Sequence, residues 1–181
     1  MWFARPGSSN RQLGWRSARS ADMRRSPKRR AAGLEYGRVS MHSFSMNIRI
    51  EIGGLKFVGR LDSERAPKTC AAFLAHLPFR GKLIQARWSG EAAWMPLGEL
   101  DFAVSAENST SDPAPGQLLL YPGGISETEI LFPYGICRFA SKFGQLAGNH
   151  FITIVEGAEQ LGGLGERVLW EGAQDIAFEA E

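Results

Sequence analysis

The clearest pattern in the chain begins at residue 46, where apolar and polar residues alternate. In "MNIRIEIGG", Ile48, Ile50 and Ile52 alternate with polar side chains, and a period of two is typical of a half-buried strand. A Gly-Gly dipeptide then precedes a second alternating run, "LKFVGRLD". Because two strands that flank a two-residue glycine turn form a β-hairpin, we predict that the folded body opens with a hairpin.

The next segment, "DSERAPKTCAAFLAHLP", has the period of an α-helix. Pro67 suits the first helical turn, Ser63 is a candidate N-cap, and Pro78 ends the pattern. Five apolar residues fall on one face of the predicted helix: Ala66, Cys70, Phe73, Leu74 and Leu77. This stripe indicates one amphipathic helix that packs on strands.

After Pro78, short apolar runs alternate with turn residues, and no strand–helix–strand rhythm is visible. Runs of this kind are typical of short strands: "GKLIQARW", "EAAWMP", "DFAVSA", "QLLLYP", "TEILFP", "ICRFA", "HFITIVEG" and "QDIAFEAE". A second helical candidate, "EGAEQLGGLG", is weakened by its glycines. About eight strands with one or two helices predict a closed antiparallel barrel or a sandwich.

The charge of the chain divides it into two unlike parts. Residues 1–45 contain ten Lys and Arg against two Asp and Glu, whereas residues 46–181 contain the other 11 of 21 basic residues and 17 of 19 acidic residues. We therefore predict a folded domain over residues 46–181. Because phosphate neutralisation by Lys and Arg supplies most nucleic-acid affinity, this acidic body is not expected to bind nucleic acid.

Residues 1–45 show neither helical nor strand periodicity and are rich in Arg, Ser, Gly and Ala, which predicts a disordered basic tail. Three interpretations treat the tail as part of the protein: a nucleic-acid or nuclear patch at "RRSPKRR", an organellar presequence, or a plain basic arm. In a fourth, the start is mis-assigned and translation begins at Met41 or Met46. A twin-arginine export signal is excluded because the required apolar stretch is missing.

Cysteine and histidine spacing limits the chemistry of the folded body. Cys70 and Cys137 lie in separate apolar segments without a CxxC motif, which predicts two reduced thiols in a cytoplasmic protein. Because no His or Cys pair has ligand spacing and no phosphate-binding loop is present, we expect no metal and no cofactor. No uncharged run is long enough to span a membrane, so no membrane association is expected.

The segment "KFVGRLDSERAPKTCAAFLAHLPFRG" resembles the opening of cyclophilins, in which a strand ending in Gly-Arg precedes a helix that starts with Ala-Pro-Lys-Thr. Downstream, "ENSTSDPAPGQLLLYPGG", "FPYG" and "GNHF" are similar to an uncharacterised bacterial branch of cyclophilin-like domains of unknown function. The resemblance covers residues 46–181. It implies a mainly β fold: a closed antiparallel eight-stranded cyclophilin-like barrel with one or two capping helices.

The resemblance does not extend to the residues of prolyl isomerisation. The isomerases of this family share a "FHRIIPGFMCQGGDF"-type stretch that supplies an arginine, apolar wall residues and a glutamine. Here the region after the helix is "KLIQARWSGEAAWMPLGELDF", in which only Arg87 is a candidate for the family's arginine. The isomerase machinery is therefore largely absent.

The segment "ARWSGEAAW", residues 86–94, concentrates candidate binding residues. A two-residue Ser-Gly turn pairs Gln85 with Trp94 and places Arg87 and Trp94 on one polar face, with Trp88 on the apolar face. Two interpretations stay open. Either Trp88 fills the barrel and Arg87 pairs with a carboxylate, or Arg87 and Trp94 form a cationic platform for a carboxylate or planar group.

Five further residues are candidate ligand contacts. Glu91 lies at the tip of the same hairpin, and Glu107 and Asn108 begin the polar loop "ENSTSD", which otherwise needs only turn formation to explain it. Tyr134, in "FPYG", offers a hydroxyl that is either a structural donor or a specificity donor. His150, in "GNHF", is either a hydrogen-bonded structural residue or an acid–base group.

These candidates favour a domain that binds a small carboxylate or amide ligand, or a peptide, in a cleft on the barrel. The alternative is an enzyme on the same site, either a degenerate prolyl isomerase or an acid–base catalyst that uses Glu91 or Glu107. A third possibility is an interaction scaffold, for which a homo-oligomer is expected. Arg87 and a carboxylate with a perturbed pKa in one concave pocket favour catalysis, whereas a pocket without such a carboxylate favours binding.

Overall fold

A computed structural model describes residues 46–181 of the chain. The hypotheses on residues 1–45 lie outside the described residues. Two helices occur in this part of the chain, α1 (Pro67–Leu74) and α2 (Leu161–Trp170), and a 3-10 turn, Ala158–Gln160, precedes α2. The strands are β1 (Asn47–Ile52), β2 (Leu55–Leu61), β3 (Phe79–Gln85), β4 (Gly90–Gly98), β5 (Ser109–Thr110), β6 (Gln117–Tyr121), β7 (Thr128–Cys137), β8 (Ala140–Ser141), β9 (Gly144–Gln145), β10 (Gly148–Glu156) and β11 (Gln174–Ala180).

Eight strands close into an antiparallel barrel in the order β2-β1-β11-β3-β4-β7-β6-β10, and β10 pairs back onto β2. The short strand β5 adds to β10, and β8 with β9 forms a separate hairpin. Closure leaves no free edge among the eight strands, which protects them from pairing with another chain. The prediction of a mainly β, closed, eight-stranded antiparallel barrel with helices is confirmed.

The first hairpin forms as its alternation predicts. Ile48, Ile50 and Ile52 of β1 are completely buried in the barrel core. Gly53 and Gly54 connect β1 to β2, and both have positive φ angles, 53° and 86°. A two-residue turn that matches the twist of a hairpin needs positive φ at both positions, which glycine adopts without strain.

Aromatic side chains fill the inside of the barrel. The Phe73 ring, from α1, has its centroid 5.0 Å from that of Phe151 and 5.2 Å from that of Phe178. Phe57 and Phe132 are also at most 1% exposed in the same core. Because packed side chains occupy the interior, a ligand has to bind on another surface of the barrel.

The helices differ from the sequence predictions at their starts. In α1, Pro67 is in the first turn as predicted, but Ser63 is not the cap, since the N-cap residue is Ala66 and makes no side-chain hydrogen bond to the helix. The second helix begins at Leu161 and runs to Trp170, later than the candidate "EGAEQLGGLG" indicated. The first residues of that candidate instead belong to the end of β10 and the 3-10 turn.

Two of the predicted strands also need correction. The run "DFAVSA", residues 101–106, is irregular rather than a strand; the Asp101 carboxylate accepts a hydrogen bond of 2.7 Å from the Ala103 N–H, and Ala103 has a φ of 53°. Such a local side-chain bond competes with strand pairing. The predicted strand "TEILFP" is the first part of β7, in which Pro133 pairs with Ala92 beside a register shift, where a strand tolerates proline. The run "ICRFA" is not a strand of its own, since Ile136 and Cys137 end β7 and Ala140 begins β8.

A second apolar cluster covers part of the barrel's outer face. Leu119, Tyr121 and Leu131 point outward from β6 and β7 and pack with Phe139 and Leu146, which flank the β8–β9 hairpin. The outer face of β7 is therefore buried like its inner face, and its first six residues, Thr128 to Pro133, are all buried. This cover forms one side of the cleft described next.

Candidate functional site

A cleft of about 930 Å³ opens on the outer face of the barrel. Its floor is formed by Ile84 of β3, Trp94 of β4 and Glu129 and Leu131 of β7. Its rim comes from the β3–β4 loop, the β6–β7 loop and the β8–β9 hairpin. The floor is regular sheet, which holds these side chains in place, while the rim is loop.

The register of β3 and β4 decides which side chains reach the cleft. Ile84 pairs with Trp94, and the Ala86 N–H donates a 2.9 Å hydrogen bond to the Ala92 carbonyl. The predicted pairing of Gln85 with Trp94 is therefore wrong by one residue. Because a one-residue slip moves every side chain to the other face, Trp94 shares the outer face with Ile84 rather than with Gln85.

The β3–β4 loop is longer than the predicted Ser-Gly turn, and Trp88 therefore lies outside the barrel rather than inside it. The loop is anchored by Ser89, whose hydroxyl donates to the Ala140 carbonyl at 3.0 Å and accepts from the Ala140 N–H at 3.2 Å. Trp88 is 61% exposed and stands at the rim of the cleft. The interpretation in which Trp88 fills the barrel is wrong, because this residue lies beyond the last pair of the two strands.

The structure brings two of the predicted site residues together. Arg87, in the β3–β4 loop, is exposed and lines the cleft. Trp94 is half-buried on the floor of the same cleft and packs against the outer cluster. An exposed guanidinium at a cleft with an indole in its floor suits recognition of a carboxylate attached to a planar or apolar group.

The cleft also contains a carboxyl group that the sequence analysis missed. Glu129 lies on β7, opposite Pro96 of β4 and Tyr121 of β6, and is only 5% exposed. Within residues 46–181, no donor hydrogen-bonds to its carboxyl group. Burial, and secondarily the nearby charge of Glu127, raise the pKa of Glu129 to about 7. Its only sequence signal is a glutamate inside the apolar run "TEILFP".

Two predicted residues lie near the cleft without lining it. The Glu91 carboxylate is exposed and accepts a 2.7 Å hydrogen bond from the Ile136 N–H. The Tyr134 hydroxyl donates to the Gln85 side-chain oxygen at 2.8 Å, and burial raises the pKa of this tyrosine. Glu91 therefore stabilises the contact between β4 and its neighbour β7, whereas Tyr134 links β7 to β3 across β4.

Glu107 belongs to a different region, the start of α1. Its carboxylate accepts hydrogen bonds from the backbone N–H groups of Lys68, at 3.0 Å, and Thr69, at 2.8 Å, and from the Thr69 hydroxyl, at 2.6 Å. It thereby supplies the helix cap that Ser63 does not. Burial opposes ionisation, but the hydrogen bonds from Thr69 and Lys68 outweigh it and lower the pKa of Glu107. A carboxylate held in this way is a poor base.

Asn149 connects this cap to the barrel. Its fully buried side-chain amide donates to the Thr69 hydroxyl and to the Ser105 carbonyl, both at 2.9 Å. Its oxygen accepts from the Glu107 N–H at 3.0 Å and from the Ser109 hydroxyl at 2.6 Å. All of its hydrogen-bonding capacity is used, which is typical of a structural residue. We call Thr69, Glu107 and Asn149 the cap network.

Asn108 and His150 lie beside the cap network and do not line the cleft. The Asn108 amide donates to the His150 carbonyl at 2.9 Å, while its buried oxygen has no partner within residues 46–181. The His150 ring lies 2.9 Å from the Thr153 hydroxyl and 3.3 Å from the Arg65 guanidinium. Burial lowers the pKa of His150, Asp62 raises it and Arg65 lowers it. The net shift favours a neutral, hydrogen-bonded ring.

The described residues include two free thiols, and burial raises the pKa of Cys70 to about 12 and that of Cys137 to about 11. Among residues 46–181, no three His, Cys, Asp or Glu side chains come together as a set of metal ligands. In the same residues, no helix has the length and apolar character needed to cross a membrane.

Comparison with solved structures identifies proteins with a similar fold. McbB, whose structure was solved in complex with tryptophan, matches with a TM-score of 0.54 and 16% identity over 73% of this chain and 44% of McbB. The chain thus spans less than half the length of McbB. The hypothetical protein AF2241 from Archaeoglobus fulgidus matches with a TM-score of 0.47 and 17% identity over 76% of this chain and 95% of its own. The resemblance of residues 46–181 to cyclophilins stays a prediction.

Comparison with sequences places the whole folded body in one family. No curated protein matches the chain. A family model described as "Protein of unknown function (DUF3830)" matches residues 48–180, which extend from β1 to the end of β11. The chain therefore belongs to the DUF3830 family.

Proposed function

We propose that the outer cleft binds a small organic ligand that carries a carboxylate or amide group. The observation that carries this proposal is that Arg87, Trp94 and the buried Glu129 share one cleft although they come from three separate segments. A volume of about 930 Å³ is within the range of small-molecule sites. An apolar floor with a few polar groups is also typical of such sites.

Arg87 is the group best suited to the anionic part of the ligand. Its planar guanidinium binds a carboxylate through two parallel hydrogen bonds. The half-buried Trp94 supplies a flat apolar surface in the same cleft. Since McbB shares the fold and was solved with tryptophan, tryptophan belongs among the first compounds to test.

The test is a thermal-shift screen of the full chain with amino acids, other carboxylates, amides and a proline-containing peptide. A ligand that binds only the folded state raises the melting temperature by mass action. We expect a compound that stabilises the parent but not Arg87→Ala. Arg138→Ala is the control, because this arginine is also exposed but pairs with Asp112 outside the cleft. A compound that shifts the parent and Arg87→Ala equally, or no shift with any compound, would overturn the proposal.

Acid–base catalysis on the same ligand is a second candidate function, and Glu129 is the observation that favours it. A pKa of about 7 is close to optimal for a group that accepts and donates protons at neutral pH. Glu91 and Glu107, the carboxylates suggested by the sequence, do not line the cleft. For a compound that is turned over, Glu129→Gln is expected to lower kcat, measured at saturating concentrations of that compound, by about a hundredfold or more. Unchanged kcat would exclude this role.

A further inference from the structure

The charges that line the cleft are separated by sign. Four carboxyl groups, those of Glu99, Asp101, Glu127 and Glu129, lie where β4 ends and β7 begins. Two cationic groups, Arg87 and Lys142, lie on the loop before β4 and on the β8–β9 hairpin. Because β4 pairs with β7 from Gly90–Cys137 to Gly98–Thr128, the acidic and basic ends are at opposite ends of one strand.

The acidic end contains a largely buried carboxyl group that faces the cleft. The Glu127 carboxylate accepts a 2.8 Å hydrogen bond from the Gly98 N–H, so part of its capacity is already used. Glu129 is 5% exposed and receives no hydrogen bond from residues 46–181. A buried carboxyl group without a donor costs free energy in the empty protein. A ligand that brings an N–H donor or a positive charge removes this cost.

Three large apolar side chains stand at the mouth of the cleft, among the charged and polar groups that also line it. Trp88 is 61%, Ile125 56% and Phe143 64% exposed, and all three line the cleft. They come from three different loops: β3–β4, β6–β7 and β8–β9. Large apolar side chains that converge from separate loops at the mouth of a pocket indicate a binding surface for an apolar group.

We propose that the cleft selects a zwitterionic ligand with an apolar body, an amino acid or a compound of similar size, whose ammonium group binds Glu129 and whose carboxylate binds Arg87. This inference rests on the proposed function, since it names the class of ligand for the same cleft. It excludes simple carboxylates as the preferred ligands, because they leave Glu129 unpartnered. It likewise excludes simple amines, because they leave Arg87 without an anion.

The strand geometry sets the distance that the two side chains and the ligand have to span together. Ala86, the neighbour of Arg87, bonds to Ala92 of β4, whereas Glu129 pairs with Pro96. The partners of Ala86 and Glu129 on β4 are therefore four residues apart, which corresponds to about 13 Å of backbone at ~3.3 Å per residue. Both side chains line the cleft along this stretch of β4, so the two side chains and the ligand together have to span this distance.

The experiment is titration calorimetry of the full chain at pH 8 with three matched probes: L-phenylalanine, 3-phenylpropionate, which lacks the amine, and 2-phenylethylamine, which lacks the carboxylate. We expect L-phenylalanine to bind at least about tenfold more tightly than either analogue. Glu129→Gln should weaken only the two amine-bearing probes by about tenfold, and Arg87→Gln only the two carboxylate-bearing probes. Glu166→Gln, an exposed charge change on α2 outside the cleft, should alter none of them.

Proton release provides a second readout that does not depend on comparing variants. An ammonium group beside Glu129 stabilises its ionised form, so L-phenylalanine binding at pH 7 should release about half a proton, as measured in buffers of different ionisation enthalpy. 3-Phenylpropionate should release none. Besides Glu129, the charged groups that line the cleft are Glu99, Asp101, Glu127, Arg87 and Lys142.

The outcomes separate this inference from the proposed function. If 3-phenylpropionate binds as tightly as L-phenylalanine and Glu129→Gln changes neither, the inference fails and a carboxylate site remains. If 2-phenylethylamine binds most tightly, the inference also fails, since Arg87 is then not used. If none of the three probes binds, the inference fails, and the wider thermal-shift screen alone decides whether the cleft binds another ligand.

Discussion

The start of α1 and the outer cleft each contain a glutamate, and the two carboxyl groups are in opposite states. Glu107 receives three hydrogen bonds from Lys68 and Thr69, which lower its pKa. Glu129 receives none from the described residues, and burial together with Glu127 raises its pKa to about 7. Where the chain itself supplies every partner, the group stabilises the fold. Where the described residues supply no hydrogen-bond donor, as at Glu129, the carboxyl group is available to a ligand.

The largest effect that tests this contrast is expected in the cap network. Asn149→Ala removes four hydrogen bonds and leaves buried donors and acceptors without partners. We expect the free energy of unfolding, measured by urea denaturation, to fall by about 2–4 kcal/mol. Asn108→Ala is the matched control, because it removes one hydrogen bond, to the His150 carbonyl, and should cost about 1 kcal/mol. Equal losses for the two variants would contradict a special role of Asn149.

Local patterns predicted the elements well, and the reason is visible in the first hairpin and in α1. The alternation of β1 and the glycine turn are properties of adjacent residues, as is the apolar stripe that ends at Pro78. The register of β3 with β4 is different, because it depends on where the connecting loop closes. The hydrogen bond between Ala86 and Ala92 shows that the loop is longer than the predicted Ser-Gly turn. The side chains of β3 therefore exchange their inward and outward faces relative to those of β4.

Glu129 could not be recognised from its neighbours because distant residues determine its burial. A glutamate on one face of a strand is normally in water, and "TEILFP" carries no sign that both faces are covered. Glu129 lies between Pro96 of β4 and Tyr121 of β6, which come from other segments of the chain. Glu107 shows the opposite case: its loop was recognised as polar, but its partners, Lys68 and Thr69, precede it by 39 and 38 residues.

The next largest effect concerns Glu129 and its dependence on pH. The folded pKa, about 7, is above the ordinary value of 4.5, so between these values the unfolded chain ionises while the folded chain keeps its proton. Stability therefore falls as pH rises from about 4.5 to about 7. Glu129→Gln removes this loss. We expect the variant to be more stable than the parent by on the order of 1–3 kcal/mol at pH 8, and little different at pH 4.

The measurement is denaturant unfolding of parent and Glu129→Gln across this pH range. Only the difference between the two proteins is interpreted, because other groups titrate in both. Glu127→Gln sharpens the test: it removes the neighbouring charge and should move the pH dependence of Glu129 to lower pH. A stability difference between parent and Glu129→Gln that does not change with pH would show that burial does not perturb this carboxyl group.

Glu107 should show the opposite sign and a smaller effect. Its folded pKa is lowered from 4.5, so its contribution to stability is complete above that pH and is lost as pH falls through the folded value. Glu107→Gln should lower the free energy of unfolding by about 1 kcal/mol at pH 7 and by much less at pH 3. Glu166→Gln, exposed on α2, is the control for the change of charge. If Glu107→Gln lowers the free energy of unfolding equally at both pH values, the ionised Glu107 carboxylate stabilises the start of α1 no more than its neutral form does.

The smallest effect on stability is expected for Trp88, and it tests the face assignment directly. Trp88 is 61% exposed at the mouth of the cleft, whereas Trp94 is half-buried against the outer cluster. Trp88→Ala should therefore change the free energy of unfolding by less than about 0.5 kcal/mol, while Trp94→Ala should cost about 1–2 kcal/mol through lost apolar contact. Urea denaturation of the two variants measures both values. If Trp88 instead filled the barrel, its truncation would cost about 3–5 kcal/mol, as for other buried aromatic residues. A small loss of stability together with weaker binding of L-phenylalanine would place Trp88 at the ligand site rather than in the core.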